Sequence, residues 1–135
     1  MKLIEKIYAY SAIGEMMRED WDFRFIYPLV CLMGDLSRDY EFFSQEERKL
    51  VAKYGKKEAD GTVAVDGEGG FTFADIESAT AYAEEHRRLE ELEGEAPPRL
   101  QLVMPGRIRG QWLRALLPFC DFKEERAGGD SGQTA

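Results

Sequence analysis

The sequence offers one imidazole, His86, for a nucleophilic relay. A Ser-His-Asp or Cys-His arrangement has to pass through it. No serine or cysteine stands near it in a nucleophile motif, and it falls on the apolar stripe of a helix, so it reads as a structural histidine. Zinc needs closely spaced His and Cys ligands. One histidine and two distant cysteines, Cys31 and Cys120, do not supply them. Asp35 and Asp39 lie one helical turn apart and could begin a divalent-cation site. A hard cation wants about six oxygens, and with Arg38 between them the pair reads as a solvated face. Asp60, Asp66 and Glu68 stand among glycines without the Asp-x-Asp-x-Asp-Gly spacing of a calcium loop, which leaves turn chemistry. Gly67-Glu68-Gly69-Gly70 precedes a strand rather than a helix, and no Gly-Lys-Ser/Thr follows, so it is no phosphate loop. The residues therefore assign no catalytic, cofactor-binding or metal-ligating side chain.

Three surfaces remain as candidates for recognition. Lys53, Lys56 and Lys57 form a small basic cluster, and Arg107, Arg109 and Arg114 flank Trp112 in a second. Basic residues beside an aromatic can hold single-stranded nucleic acid or an acidic peptide. The third surface is acidic: from Glu84 to Glu95 there are six glutamates, Glu84, Glu85, Glu90 and Glu91 among them, against Arg87 and Arg88. Such a run is ordinarily a charged outer helical face, and it could also engage a basic partner.

The elements that position these residues follow from apolar spacing. Residues 2 to about 19 read as a first helix, with Leu3, Ile7, Tyr10, Gly14 and Met17 on one face. Asp20 or Asp22 is placed to cap the next helix. That second helix starts somewhere in 22–28, with Pro28 setting the uncertainty, because proline is comfortable only in a first turn. It runs to Tyr54 along a heptad seam of Leu29, Met33, Leu36, Tyr40, Phe43, Glu47, Leu50 and Tyr54, in which Glu47 is the one charged member. Gly55 stops it, and a left-handed glycine cap is the expected device. Asp-Gly turns separate Val63-Ala64-Val65 from Phe71-Thr72-Phe73, predicting a β-hairpin at about 62–73. A third helix begins at the cap Asp75 and runs to about Glu93, with Ala79, Tyr82, Ala83, His86, Leu89 and Leu92 on one face. A strand near Leu100–Met104, a short helix over 111–117 and a strand over 119–122 follow, and 123–135 reads as a disordered tail.

Length and composition bound the rest. A chain of 135 residues with 44% hydrophobic content fits one domain, here 1–122. A net charge of −8 argues against nucleic acid, since phosphate-backbone affinity comes from Lys and Arg. No apolar run reaches the roughly 20 residues that span a bilayer, and Glu5, Glu15, Arg18 and Glu19 near the start speak against a signal peptide. No membrane association is expected. The two cysteines are expected as reduced thiols in a cytoplasmic protein.

The order of parts also carries a resemblance. A helical hairpin ending in Lys53-Tyr54-Gly55, then Asp60-Gly61, a Val-x-Val strand, a glycine-rich turn, an aromatic strand, a Glu-rich helix and a close near Leu116-Leu117-Pro118-Phe119 resembles small proteins of unknown function encoded by phages and prophages of Gram-positive bacteria. The likeness spans about residues 10 to 122. It implies an accessory or assembly role in the host cytoplasm or on the virion, and brings no catalytic residues. The expected fold is mainly α (α+β): a long antiparallel helical hairpin and a third helix, with a small β-hairpin and short C-terminal strands. The expected function is a non-enzymatic interaction protein without a cofactor, bound to a protein partner. Self-association through the Leu29–Tyr54 helix is a related expectation. The alternatives are an inhibitor or anti-defence protein using its acidic helix, and a small enzyme using Asp35, Asp39 or His86.

Overall fold

A computed structural model describes residues 1–124. The element order is α1 (Leu3–Met16), α2 (Phe23–Tyr54), α3 (Ile76–Glu90), β1 (Leu100–Val103), α4 (Gly110–Leu116) and β2 (Cys120–Lys123). The fold is mainly helical with a small sheet. Its contacts gather into two compact units rather than the one that chain length suggests. One is Met1–Ile7 with Arg38–Gly94; the other is Tyr8–Ser37 with the chain from Glu95 on. Both α1 and α2 contribute residues to each.

In the first unit the seam of α2 is consumed inside the chain. Leu3, Ile7, Phe43 and Leu89 form a buried cluster, with Ile4, Tyr40 and Leu50 packed against it. Self-association through Leu29–Tyr54 therefore does not have that face available: Leu29, Leu36 and Phe43 are buried in the protein's own core. Lys6 is buried among these residues, and its Nζ donates to Asp39 Oδ2 at 3.4 Å. The start of the chain is tied to the end of α3 by a Lys2–Glu93 bridge and by the Leu3 N–H donating to the Leu92 carbonyl.

Gly55 ends α2, but not in the left-handed way expected. The glycines of positive φ are Gly61 and Gly69, and Gly55 is not one of them. It is required for space. A Cβ there would lie 2.7 Å from the Val51 carbonyl oxygen and 2.9 Å from Val63 Cγ1. Gly55→Ala should cost about 1–3 kcal/mol, the usual range for overpacking, read as a lowered urea midpoint at unchanged m.

The predicted hairpin is present as pairing without named strands. Three short antiparallel bridges, Gly55–Phe73, Lys57–Val63 and Val65–Phe71, fold the segment back on the end of α2. Asp60 and Asp66 serve the turns: Asp60 accepts from the Thr62 N–H and hydroxyl, and Asp66 from the N–H groups of Glu68 and Gly70. The phenylalanines do the anchoring. Phe71, Phe73 and Tyr82 of α3 form a ring cluster with centroids 5.1 to 5.4 Å apart, while Val65 stays exposed.

Capping follows the sequence closely. Asp22 caps α2, its Oδ1 accepting from the Arg24 N–H at 2.8 Å. The helix starts five residues ahead of Pro28, so the missing proline N–H falls inside it and leaves the Arg24 carbonyl without its ladder donor. Asp75 caps α3 by accepting from the Ser78 N–H at 2.7 Å. That bond, joined by one from the Ser78 side chain, holds the Asp75 carboxyl below the usual carboxylate range. The stability it adds is complete above the usual range and is lost as pH falls through the lowered folded value. Asp75→Asn keeps a capping oxygen without the titration. It should leave the neutral-pH Tm nearly unchanged and flatten the acid limb of a Tm-against-pH curve.

In the second unit, β1 and β2 pair in parallel, Leu100 opposite Cys120 through Val103 opposite Lys123. A parallel pair needs a crossover, and α4 supplies it. Leu102 and Cys120 are buried, while Gln101, Val103, Asp121 and Lys123 face water. Arg99 closes the corner where α4 gives way to β2. Its guanidinium donates to the carbonyls of Leu117, Pro118 and Cys120 and to the Asp121 carboxylate at 2.8 to 3.1 Å. Lys123 thus belongs to a strand and not to the tail assigned from the sequence; the rest of that expected tail, 125–135, lies outside the described residues.

Candidate functional site

The second unit holds an open cleft of about 2080 Å³ between the connector that joins α1 to α2, the carboxyl ends of β1 and β2, and the segment leading into α4. Its aromatic wall starts from Trp112. In a seven-residue helix capped at Arg109 and carrying Arg114 in its last turn, the ring turns inward to 3% exposure, and its Nε1–H donates to Glu15 Oε1 at 2.8 Å. Trp21 meets it edge-on with centroids 6.0 Å apart, stacks obliquely on Phe25 at 5.4 Å, and donates its own Nε1–H to the Met16 carbonyl at 2.7 Å. Both indoles thus have their polar edge satisfied and their apolar bodies placed together, the usual solution for a buried tryptophan.

Charge surrounds this wall. The Arg109 guanidinium lies 4.8 Å over the Trp112 ring and 3.5 Å from Glu19 Oε2. Asp22 is spent on the α2 cap. Arg107, Lys123, Asp20 and Glu124 line the rim with no partner of this kind among the described residues. The cleft is apolar at its floor and of mixed sign at its edge. The backbone at its mouth, Pro105 to Arg109, is irregular, the usual carrier of recognition on a scaffold of regular elements.

No family model matches the chain, and neither curated proteins nor solved structures show a significant match to it.

Of the recognition residues expected from sequence, Arg107, Arg109 and Trp112 meet at this cleft. Arg114 lies in the last turn of α4 and does not line the cleft, and the others belong to the first unit, where all but Lys56 have partners for their side chains. Lys53 Nζ lies 3.5 Å from Glu85 Oε2, which also accepts from the Tyr54 hydroxyl. That phenol bond, and then the Lys53 charge, hold the Glu85 carboxyl low against the desolvation that opposes them. Lys57 Nζ donates to the carbonyls of Ala52 and Gly55, supplying a cation where the dipole of α2 is negative. Lys56 is exposed, and its backbone pairs with Thr72 and Ala64. Glu84 and Glu91 both pair with Arg87, at 2.8 and 3.0 Å, and Glu84 reaches Arg88 at 3.4 Å. Glu90 approaches His86 Nδ1 at 3.6 Å.

His86 is the point at which two sequence features meet. Its Nε2 lies 2.8 Å from Oε2 of Glu47, the charged member of the α2 seam. Its ring stacks on Tyr82 at 5.4 Å and meets Phe43 edge-on at 5.8 Å. Burial, and then the Glu47 and Glu90 carboxylates, push the Tyr82 phenol above its usual range. Asp39 is bound to Lys6, and Asp35 is exposed on α2. Among the described residues no group of three or more His, Cys, Asp or Glu side chains is arranged to hold a metal ion. The cysteines are free thiols: Cys31 is exposed, and burial pushes the Cys120 thiol up to about 11. No helix among the described residues is long and apolar enough to cross a membrane.

Trp21 and Phe25 were missed as site residues. A tryptophan in a short polar connector, the six residues 17–22 in the structure, was the available signal, because so large a ring in so short a link has to be accommodated by a neighbouring element.

Proposed function

We propose that this chain is a non-enzymatic interaction protein, and that the cleft of its second unit receives an extended segment of a partner protein. The observation that carries this reading is the cleft itself: an aromatic floor under an irregular, mixed-charge mouth, with a volume of about 2080 Å³ that exceeds the few hundred to about 1,000 Å³ typical of small-molecule pockets. A peptide supplies what such a surface asks for. It brings an apolar side chain for the half-buried Trp21 ring, and main-chain and side-chain polar groups for Arg107, Asp20 and Lys123. The Trp21 and Trp112 rings are already held by their N–H bonds and by each other, so ordering them costs little at binding.

The reading keeps the long helical hairpin as an antiparallel pair, supported by the Lys6–Asp39 contact in one unit and by Gly14 facing Met33 in the other. It places the protein among phage or prophage accessory and assembly factors, on the resemblance of its order of parts. It moves the working surface away from Lys53–Phe73, whose lysines Lys53 and Lys57 are engaged by their own neighbours. The acidic face of α3 is the weaker surface for the same reason, since Glu84, Glu85, Glu90 and Glu91 each have a partner within the chain.

The test is selection of displayed random peptides on the full chain, followed by NMR mapping of the best binder. The expected result is perturbation of the Trp21 and Trp112 indole N–H signals, and loss of binding in Arg107→Glu. Binders that perturb only residues of the first unit, or that ignore Arg107→Glu, would overturn the proposal.

A further inference from the structure

The seam side of α2 is used up within the chain, but its opposite side in the second unit is not. Phe23 is 71% exposed and Tyr27 67%. Cys31 is exposed, and a Cβ added at Gly34 would meet nothing within 4 Å. At about 100° per residue, these four positions share a strip about 80° wide. Single exposed apolar residues are ordinary. Here two aromatic rings stand one turn apart on one strip, and a glycine further along leaves room for another helix to come close.

The charges beside the strip are self-complementary. Arg24 and Asp35 are both exposed and fall on the same flank of the strip, about 16 Å apart along the axis. When two copies of α2 are laid antiparallel, with a two-fold axis passing between positions 29 and 30, Arg24 of each faces Asp35 of the other. One symmetry operation thus makes two ion pairs. The same axis drops Tyr27 of each copy between Cys31 and Gly34 of the other. It leaves the two Cys31 positions about 4.5 Å apart along the helix direction. A parallel two-fold arrangement would instead put the Arg24–Asp35 flanks of the two copies on opposite sides of the pair and form neither ion pair.

From this we infer that the Phe23–Asp35 face of α2 docks on the same face of a second copy of this chain, as an antiparallel two-fold helix pair. The inference does not rest on the cleft reading, and either can fail without the other. It also differs from self-association through the Leu29–Tyr54 seam, because it uses the opposite side of the helix.

Sedimentation equilibrium of the full chain tests it. The mass should rise from 15.4 kDa towards twice that value as concentration increases. Asp35→Arg alone and Arg24→Asp alone should each weaken the dimer by roughly tenfold or more, through two lost attractions and two new repulsions. The double exchange should restore it. Tyr27→Arg should give a monomer with an unchanged far-UV CD spectrum. A short bis-maleimide should link the native dimer through Cys31 and fail in Cys31→Ser. A mass of 15.4 kDa at every concentration would overturn the inference. So would a dimer that tolerates Asp35→Arg and Tyr27→Arg, or a double exchange that does not recover association.

Discussion

Trp112→Ala should destabilise the protein by about 3–5 kcal/mol, the range for deleting a large buried aromatic. The side chain is 3% exposed and packs edge-on against Trp21. Its removal strips the cleft of its floor and leaves Glu15 Oε1 without its indole donor. It also takes the ring from beneath the Arg109 guanidinium. Trp112→Phe separates these contributions. It keeps most of the apolar bulk and loses the N–H, so it should cost clearly less than alanine. Urea denaturation followed by Trp21 fluorescence gives the order, with wild type above phenylalanine and phenylalanine above alanine. Equal stabilities for the phenylalanine and alanine variants would mean that the Glu15 hydrogen bond, and not packing, holds the helix in place.

Asp39→Ala should cost about 2–3 kcal/mol, because it leaves the Lys6 ammonium buried without its carboxylate. Removing one partner of a fully buried pair costs about 3–5 kcal/mol, and the lower figure reflects the partial exposure of Asp39. Lys6→Met should behave in the opposite way. It removes the buried charge and frees a half-exposed aspartate to be solvated, so stability should be unchanged or higher. Chemical denaturation of both variants reads the contrast. If Lys6→Met is the more damaging of the two, the pair is a net stabiliser and not a tolerated cost.

Periodicity made the helices and their caps legible. Asp22 and Asp75 cap the helices that the apolar spacing placed after them, and the seam from Leu29 to Leu50 packs inward where its spacing says it must. Other features were not fully legible, each for a physical reason. The role of Gly55 was misread because a left-handed cap and a steric requirement leave the same residue in the sequence; only the positions of Val51 and Val63 separate them. The division into two units escaped length arguments because α1 and α2 run through both, leaving no linker composition to mark a boundary. The aromatic cleft was half visible. Arg107, Arg109 and Trp112 cluster in sequence, whereas Trp21 and Phe25 reach them only through the fold. The inward place of His86 was legible from the α3 stripe, where its ring packs on Tyr82 and Phe43. Its partner Glu47 was flagged only as the charged member of the seam, since a 39-residue separation hides the pairing from any local motif.

The Arg99 corner bears on how the parallel strand pair keeps its alignment. With two strands of four residues, little in the ladder itself opposes a slip of β2 by one position, and such a slip would turn Cys120 out to water. A planar fork that holds the carbonyls of Leu117, Pro118 and Cys120 and a carboxylate at once fixes the entry point of β2, in the manner of a slider pinned at the foot of a zip. An ammonium at the same place is a point donor that cannot span those groups. The exchange usually treated as conservative, Arg99→Lys, should therefore speed amide exchange together at Leu100 and Met104, which donate to Phe119 and Lys123, while leaving the amides of α3 unchanged.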